Sequence, residues 1–190
     1  MNFLEQKILE EGVIKEGNIL KIDNFLNHQI DIDVMRQIAY ELKRRFKGLE
    51  VNKILTIEAS GIAIATMLGD VYDVPVVFAK KSETANSTDS KYVSQAYSFT
   101  HKKINQVFVS RPYLLATDKV LIVDDFLATG SALIGLKGLV EQAGGTVIGA
   151  GIAIEKEFQN GGNELRAQGM RVESLAKIAA MTDSGIVFAE

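Results

Sequence analysis

Apolar residues recur along the chain with two different periods, and the switches between them mark out its elements. Phe3, Leu4, Ile8 and Leu9 share one helical face, so residues 2–11 read as a short helix that Gly12 can end. From Gly17 to Ile32 no period holds, which predicts irregular structure with a short strand. A second helix is expected from near Asp33. Met35, Ala39, Leu42 and Phe46 fall on one stripe, Lys43 to Arg45 lie near its end, and Gly48 stops it.

The pattern then alternates between short apolar runs and helical stripes. KILTI (53–57) predicts a strand, Ser60 and Gly61 open an apolar helix to about Gly69, and VPVVFA (74–79) predicts a second strand. KVLIVDD (119–125) is a third buried strand, followed by a helix from Ser131 to Ala143 that Gly144 and Gly145 cap. TVIGAGIAI (146–154) is a fourth. The tail holds a short helix around Asn163 to Gln168 and a strand near Val172 to Ile178. Strand-helix-strand order implies parallel strands joined by right-handed crossovers, hence an α/β fold with a central, mostly parallel sheet.

Residues 82–118 break this rhythm. SETANSTDSK is polar and turn-rich, YVSQAYSF alternates like a strand, and INQVFVS can pair with it as a hairpin. An insertion of this length beside a compact sheet suits a mobile lid, and it also suits an inert surface hairpin.

Composition narrows the function classes. The 190 residues suffice for one domain, and 47% apolar with 24% charged is a globular balance. A formal charge of −3 speaks against nucleic acid as a partner. With no cysteine and two histidines, disulfide and thiolate chemistry and a zinc site are not expected. No apolar run is long enough for a bilayer, and MNFLEQKILEEG is too acidic for a signal peptide, so a soluble cytoplasmic protein is expected.

The chemistry concentrates in VLIVDDFLATGSA (120–132). An apolar strand runs into two adjacent carboxylates, Asp124 and Asp125. Small residues follow, Ala128, Thr129, Gly130, Ser131 and Ala132, at the start of a helix. Helix N-termini bind phosphate through free N–H groups and partial positive charge, and glycine allows close approach. Carboxylates repel phosphate but suit sugar hydroxyls, or a metal that bridges to them. The stretch is neither a Walker A loop nor a dinucleotide fingerprint. A polyol next to a phosphate fits it, as in ribose 5-phosphate. A turn aspartate and a helix N-cap would explain one acid here, but not two in an apolar strand, where desolvation is costly.

The stretch resembles the 5-phosphoribosyl 1-diphosphate (PRPP) signature of type I phosphoribosyltransferases. The resemblance implies that fold, with a small hood and a flexible hairpin lid. It implies that Asp124 and Asp125 hold the ribose hydroxyls and that Ala128 to Ala132 wrap the 5-phosphate. Mg2+ is then held mainly by PRPP, with no metal site of the chain's own. Hypoxanthine-guanine members carry an aspartate where this chain has Ala128, which leaves the general acid-base role unassigned.

Further residues take their roles from the same resemblance. IEASG (57–61) offers Ala59, Ser60 and Gly61 to the pyrophosphate group, and also reads as an ordinary strand-to-helix turn. Lys80 and Lys81 suit pyrophosphate charge or a solvated surface. Lys156, in AIEKEF, is a pure donor suited to a purine carbonyl, or one charge in an exposed cluster. Phe158 beside it is a stacking face or plain core.

LKIDNFLNHQID (20–31), with YSFT (97–100), is similar to bacterial xanthine phosphoribosyltransferases, which implies that Leu20 and Asn27 contact xanthine. Asn27 also reads as a turn residue. The implied whole is a single domain over 1–190, with its hood from residues 1–35 and the C-terminal segment and its lid at about 82–112. It is expected to be a purine-salvage enzyme and a homodimer, making xanthosine 5-phosphate from xanthine and PRPP. The rivals are a hypoxanthine or guanine transferase and, in another class, a PRPP-sensing transcription regulator on the same fold.

Overall fold

The computed structural model describes residues 1–16, 19–81, 90–98, 103–182 and 185–189, with backbone alone at 96–98 and 103–105. The helices are α1 (Phe3–Glu11), α2 (Ile32–Arg45), α3 (Gly61–Tyr72), α4 (Ser131–Ala143) and α5 (Gly161–Ala167). The strands are β1 (Val13–Lys15), β2 (Ile19–Lys21), β3 (Lys53–Ile57), β4 (Val76–Ala79), β5 (Lys91–Ser98), β6 (Lys103–Ser110), β7 (Lys119–Leu127), β8 (Thr146–Lys156), β9 (Val172–Thr182) and β10 (Gly185–Phe188).

Six strands form the central sheet in the order β10-β9-β8-β7-β3-β4. Neighbours from β4 to β9 run parallel, and β10 pairs antiparallel with β9. The parallel strands need cover on both faces, and their near-continuous apolar runs reflect it. One apolar cluster gathers α2 and α3 with the N-terminal segment, through Ile8, Phe25, Met35 and Leu68. The other lies under α4 and the β5–β6 hairpin, through Leu136, Leu139, Val107 and Val109.

The N-terminal segment is fastened by polar contacts as well. Asn2 caps α1 in a reciprocal box with Glu5, and its side-chain amide donates to the Leu175 carbonyl at 2.6 Å. Arg45, at the end of α2, donates to the Ser174 carbonyl at 2.8 Å. Both contacts reach β9, on the far side of the sheet from β4.

The hairpin expected between residues 82 and 112 is present as β5 and β6, paired from Lys91↔Ser110 to Ser98↔Lys103. Gln142 of α4 donates to the Val93 carbonyl at 2.8 Å, and Lys80 and Phe108 exchange backbone hydrogen bonds at 3.0 Å. The described part of the hairpin is therefore docked on α4 and the sheet edge. The rest of the expected lid, residues 82–89 and 99–102, lies outside the described residues.

Among the departures from the sequence pattern, three concern strand pairing. Val13–Lys15 and Ile19–Lys21 pair as a small hairpin, although each has three residues and Val13 to Lys15 are all exposed. β10 is a second such case, too short and too exposed to carry a period of its own. The third is β7, which runs two residues past the acidic pair. β8 is long enough to keep pairing there, with Phe126↔Ile154 and Leu127↔Glu155.

At the opposite end of the sheet Lys53 and Asp118 form a buried ion pair, 2.7 Å apart. Lys53 also donates to the Tyr113 carbonyl at 3.0 Å, and Asp118 accepts from the Leu115 N–H at 2.7 Å. Removing one partner leaves the other charged and desolvated. Asp118→Ala should therefore lower unfolding stability by about 3–5 kcal/mol, whereas Lys53→Met with Asp118→Leu should cost far less. Urea denaturation of the two variants measures the difference.

Candidate active site

β8, β7, β3 and β4 lie side by side and parallel, so the segments that follow them emerge along one edge of the sheet. This is where open α/β sheets bind ligands. Thirteen of the fifteen residues singled out in the sequence sit along that edge: Ala59 to Gly61 after β3, Lys80 and Lys81 after β4, Asp124 to Ala132 through the end of β7, and Lys156 at the end of β8.

Asp124 and Asp125 are both buried, at 6% and 7% exposure. The Asp124 carboxylate accepts the Asp125 N–H at 3.0 Å. Burial, and then the neighbouring Asp125 carboxylate, push the Asp124 carboxyl well above the ordinary range, while the charge on Lys81 acts the other way. A sugar hydroxyl or a cation would relieve this repulsion.

The next segment turns quickly into α4. Gly130 takes φ 82°, a left-handed conformation that a side chain would resist, and Ser131 is the first residue of the helix. α4 spans thirteen residues, so its N-terminal N–H groups and dipole face residues 128–131 with no acidic side chain in the first turn.

The second loop lies against the first. A Cβ on Gly61 would collide with Thr56 Oγ1 and come within 3.0 Å of Asp124 Oδ1, so only glycine lets α3 begin this close to the acids. Thr56 Oγ1 is fully buried and has no hydrogen-bond partner among the described residues. The Glu58–Ala59 peptide bond is cis. The Glu58 carboxylate accepts the Lys81 N–H at 2.6 Å, which joins the Ala59–Gly61 loop to the end of β4. Lys81 is exposed and Lys80 half-buried.

Lys156 is half-buried, with its ammonium 5.6 Å from the centre of the Phe126 ring. Burial lowers its pKa from the ordinary 10.5. Phe158 is 41% exposed, which removes the reading of it as core and leaves a ring face available. Leu20 is buried in the N-terminal cluster. Asn27 ends a five-residue π-helical turn, Asp23–Asn27, and its exposed amide has no hydrogen-bond partner among the described residues. These two residues belong to the N-terminal segment rather than to the strand ends.

The sequence reading missed the support behind Lys156. Glu155 is fully buried and takes a two-pronged bond from Arg166 of α5, at 2.9 and 2.6 Å. It also accepts the Ser174 hydroxyl of β9. Burial alone would raise the Glu155 pKa, but the bonds from Arg166 and Ser174 outweigh it and hold the carboxyl below its ordinary value. The signal was faint: Glu155 sits in an EKE cluster that reads as surface.

The donor set suits a cation carried in by a substrate. Asp124 and Asp125 offer hard carboxylate oxygens, and among the described residues no cluster of three or more carboxylate or imidazole groups could hold an ion without outside ligands.

Residues 21–166 match the family described as the phosphoribosyl transferase domain. The chain is 51% identical over 189 residues to Xanthine phosphoribosyltransferase 2 of Clostridium botulinum (strain Hall), covering 99% of this chain and 100% of that protein. It is 48% identical over 190 residues to the Xanthine phosphoribosyltransferase of Bacillus cereus (strain AH187), covering 100% and 96%. Among solved structures, the adenine phosphoribosyltransferase of Thermoanaerobacter pseudethanolicus superposes with a TM-score of 0.77 at 23% identity, over 92% of this chain and 99% of that one. That of Trypanosoma brucei, in complex with AMP, pyrophosphate and ribose-5-phosphate, superposes with a TM-score of 0.78 at 18% identity, over 96% and 83%. The structures share the fold, and the family match spans the acid pair, both glycine-bearing loops and Lys156. On that ground this chain belongs to the phosphoribosyl transferase domain family.

Proposed function

We propose that the chain transfers the 5-phosphoribosyl group of PRPP to xanthine, giving xanthosine 5-phosphate and pyrophosphate. The observation that carries this reading is the buried Asp124–Asp125 pair beside the N-terminus of α4, in a chain about half identical along its length to xanthine phosphoribosyltransferases. Assaying the purified protein with PRPP, Mg2+ and xanthine, guanine, hypoxanthine or adenine in turn tests it. Xanthine should be the best substrate and adenine the poorest.

The roles follow from donor and acceptor chemistry. The carboxylates of Asp124 and Asp125 accept from the ribose hydroxyls. The N–H groups of residues 128–132, with the Thr129 and Ser131 hydroxyls, donate to the 5-phosphate. The Ala59–Gly61 N–H groups and the Lys80 and Lys81 ammoniums receive the charge that grows on the departing pyrophosphate. Lys156 donates to the purine oxygen at C6, Asn27 reads the oxygen at C2, and Leu20 contacts the base. Mg2+, bound with PRPP, supplies positive charge against the diphosphate oxygens.

In the reaction the bond from the sugar's anomeric carbon to pyrophosphate breaks, and a purine nitrogen bonds to that carbon and loses its proton. Ala128 offers that proton no acceptor, so it passes to the departing pyrophosphate, itself a base. The site's contribution is to hold the partners in line and keep out water, which would otherwise hydrolyse PRPP. The domain spans residues 1–190, the segment 1–35 and the C-terminal strands act as a hood for the base, and the hairpin at 82–112 acts as a lid. The protein works as a cytoplasmic homodimer.

Asp124→Asn with Asp125→Asn should abolish transfer with the fold intact, since each charge-assisted hydrogen bond lost costs about 1.5–3 kcal/mol. Circular dichroism together with turnover checks this, and wild-type turnover would exclude the assignment.

Base choice separates two residues. Lys156→Ala should weaken every 6-oxopurine. Asn27→Ala should weaken xanthine more than hypoxanthine, which has nothing at C2 to lose. One hydrogen bond is worth roughly 0.5–1.5 kcal/mol, so the ratio of kcat/KM for the two bases should shift a few-fold to about tenfold. An unchanged ratio would leave Asn27 without that role.

Lys156 can donate in both its forms, but only the ammonium brings charge to the carbonyl. Because burial lowers its pKa from 10.5, that charge is lost as pH rises through a value below 10.5. The alkaline fall in kcat/KM should come at lower pH in the wild type than in Lys156→Arg. Measuring both side by side cancels the ionisation of the substrate.

A further inference from the structure

The 128–130 loop does not stand alone on α4; a second element is pressed against it. Gly161, the first residue of α5, donates its N–H to the Ala128 carbonyl at 3.1 Å. A Cβ on Gly161 would collide with the Thr129 carbonyl carbon, the Ala128 oxygen and the Gly130 nitrogen, which are all backbone atoms of the loop. The Gly161 backbone is not left-handed, since that turn is made by Asn160 at φ 63°. Space alone therefore demands glycine here. Behind Gly130 stands Leu165 of the same helix, which would lie 3.0 Å from an added Cβ.

α5 is in turn anchored at its other end. Arg166 grips the buried Glu155 carboxylate at 2.9 and 2.6 Å, and Ser174 of β9 donates to the same carboxylate. A Cβ on Gly162 would strike Glu155 Oε1, so the helix lies directly on that carboxylate. Seven residues cannot hold a helix in place by backbone hydrogen bonding alone. The Glu155–Arg166 pair, buried at its carboxylate, ties α5 to the end of β8, and α5 in turn packs on the loop.

We propose that α5 is a strut for the phosphate loop, and that Gly161, Glu155 and Arg166 are positioning residues for the 5-phosphate of the ribosyl substrate. This rests on the transfer reaction proposed above. The glycine pair is a spacing device, with one glycine against the loop and the other against the carboxylate. Glu155 and Lys156 are consecutive, so the end of β8 supports the phosphate loop with one side chain while presenting the other to the base.

The test is Gly161→Ala, together with the double variant Glu155→Gln/Arg166→Gln, which removes both charges and so leaves none buried and unpaired. A loop displaced by a fraction of an ångström should raise the KM for PRPP on the order of tenfold or more in both, with the KM for xanthine within about twofold of wild type. Ribose 5-phosphate binding by isothermal titration calorimetry should weaken in parallel. Arg166→Lys, which keeps the charge but not the two-pronged bond, should fall between wild type and the double variant.

A purely structural role would instead lower the melting temperature and the active fraction while leaving the KM for PRPP unchanged, and that result overturns the proposal. If wild type binds ribose 5-phosphate but makes no xanthosine 5-phosphate, the transfer reading fails and the titrations still decide the strut. If wild type fails to bind ribose 5-phosphate, the strut fails with it.

Discussion

Two carboxylates next to each other in a buried strand repel one another and lose hydration, and the site is built around that cost. Burial and the Asp125 carboxylate both oppose the ionised form of Asp124. Some relief is local, from the Asp125 N–H that bonds to Asp124 and from the charge of Lys81. The remainder has to come from a ligand that brings hydroxyl donors or a cation. An anionic group is not favoured directly on the acids, whereas the adjoining helix N-terminus suits one through its N–H groups and dipole. The proposed sugar-phosphate role rests on that order of acids and helix N-terminus along one strand and one turn.

The neighbouring loops can come this close only because glycine occupies the points of contact. Gly61 brings α3 against Thr56 and Asp124, and Gly161 brings α5 against the loop of residues 128–130. The contacts of Gly61 with Asp124 and of Gly161 with the 128–130 loop each join a strand end to a helix start of a different strand-helix unit. The unpartnered Thr56 hydroxyl shows how tightly the first of these junctions is closed. Such packing makes the site rigid where charge has to be met with little reorganisation.

Rigid parts and adjustable parts are divided along the chain. The strand ends that carry the residues proposed for the sugar, phosphate and pyrophosphate belong to adjacent parallel strands. The residues proposed for the base are split between Lys156, on the sheet, and Leu20 and Asn27, on the N-terminal segment that packs toward β9 and β10. A segment of this kind can change its contacts without disturbing the acid pair. The fold is shared with adenine phosphoribosyltransferases at 18–23% identity, while full-length relatives near 50% carry the name of another base.

Much of this was legible in the amino-acid sequence, because the pattern is local. KILTI and the span Ser131–Ala143 match β3 and α4 residue for residue. An apolar run, two acids and a string of small residues carry their chemistry within thirteen consecutive positions, so VLIVDDFLATGSA needed no tertiary information to be read. The short pairings β1–β2 and β9–β10 were not legible, since three or four residues have no period and only a partner strand makes them strands. Nor was the continuation of β7 past its acids, which the length of β8 imposes. Glu155, Arg166 and Ser174 look like scattered surface polarity along the chain, and become one buried network only when α5 is laid across β8 and β9. The division follows from range. Hydrophobic periodicity and a helix N-terminus are properties of neighbouring residues, whereas the cost of a buried charge and the room for a Cβ depend on which distant residues the fold brings to that point.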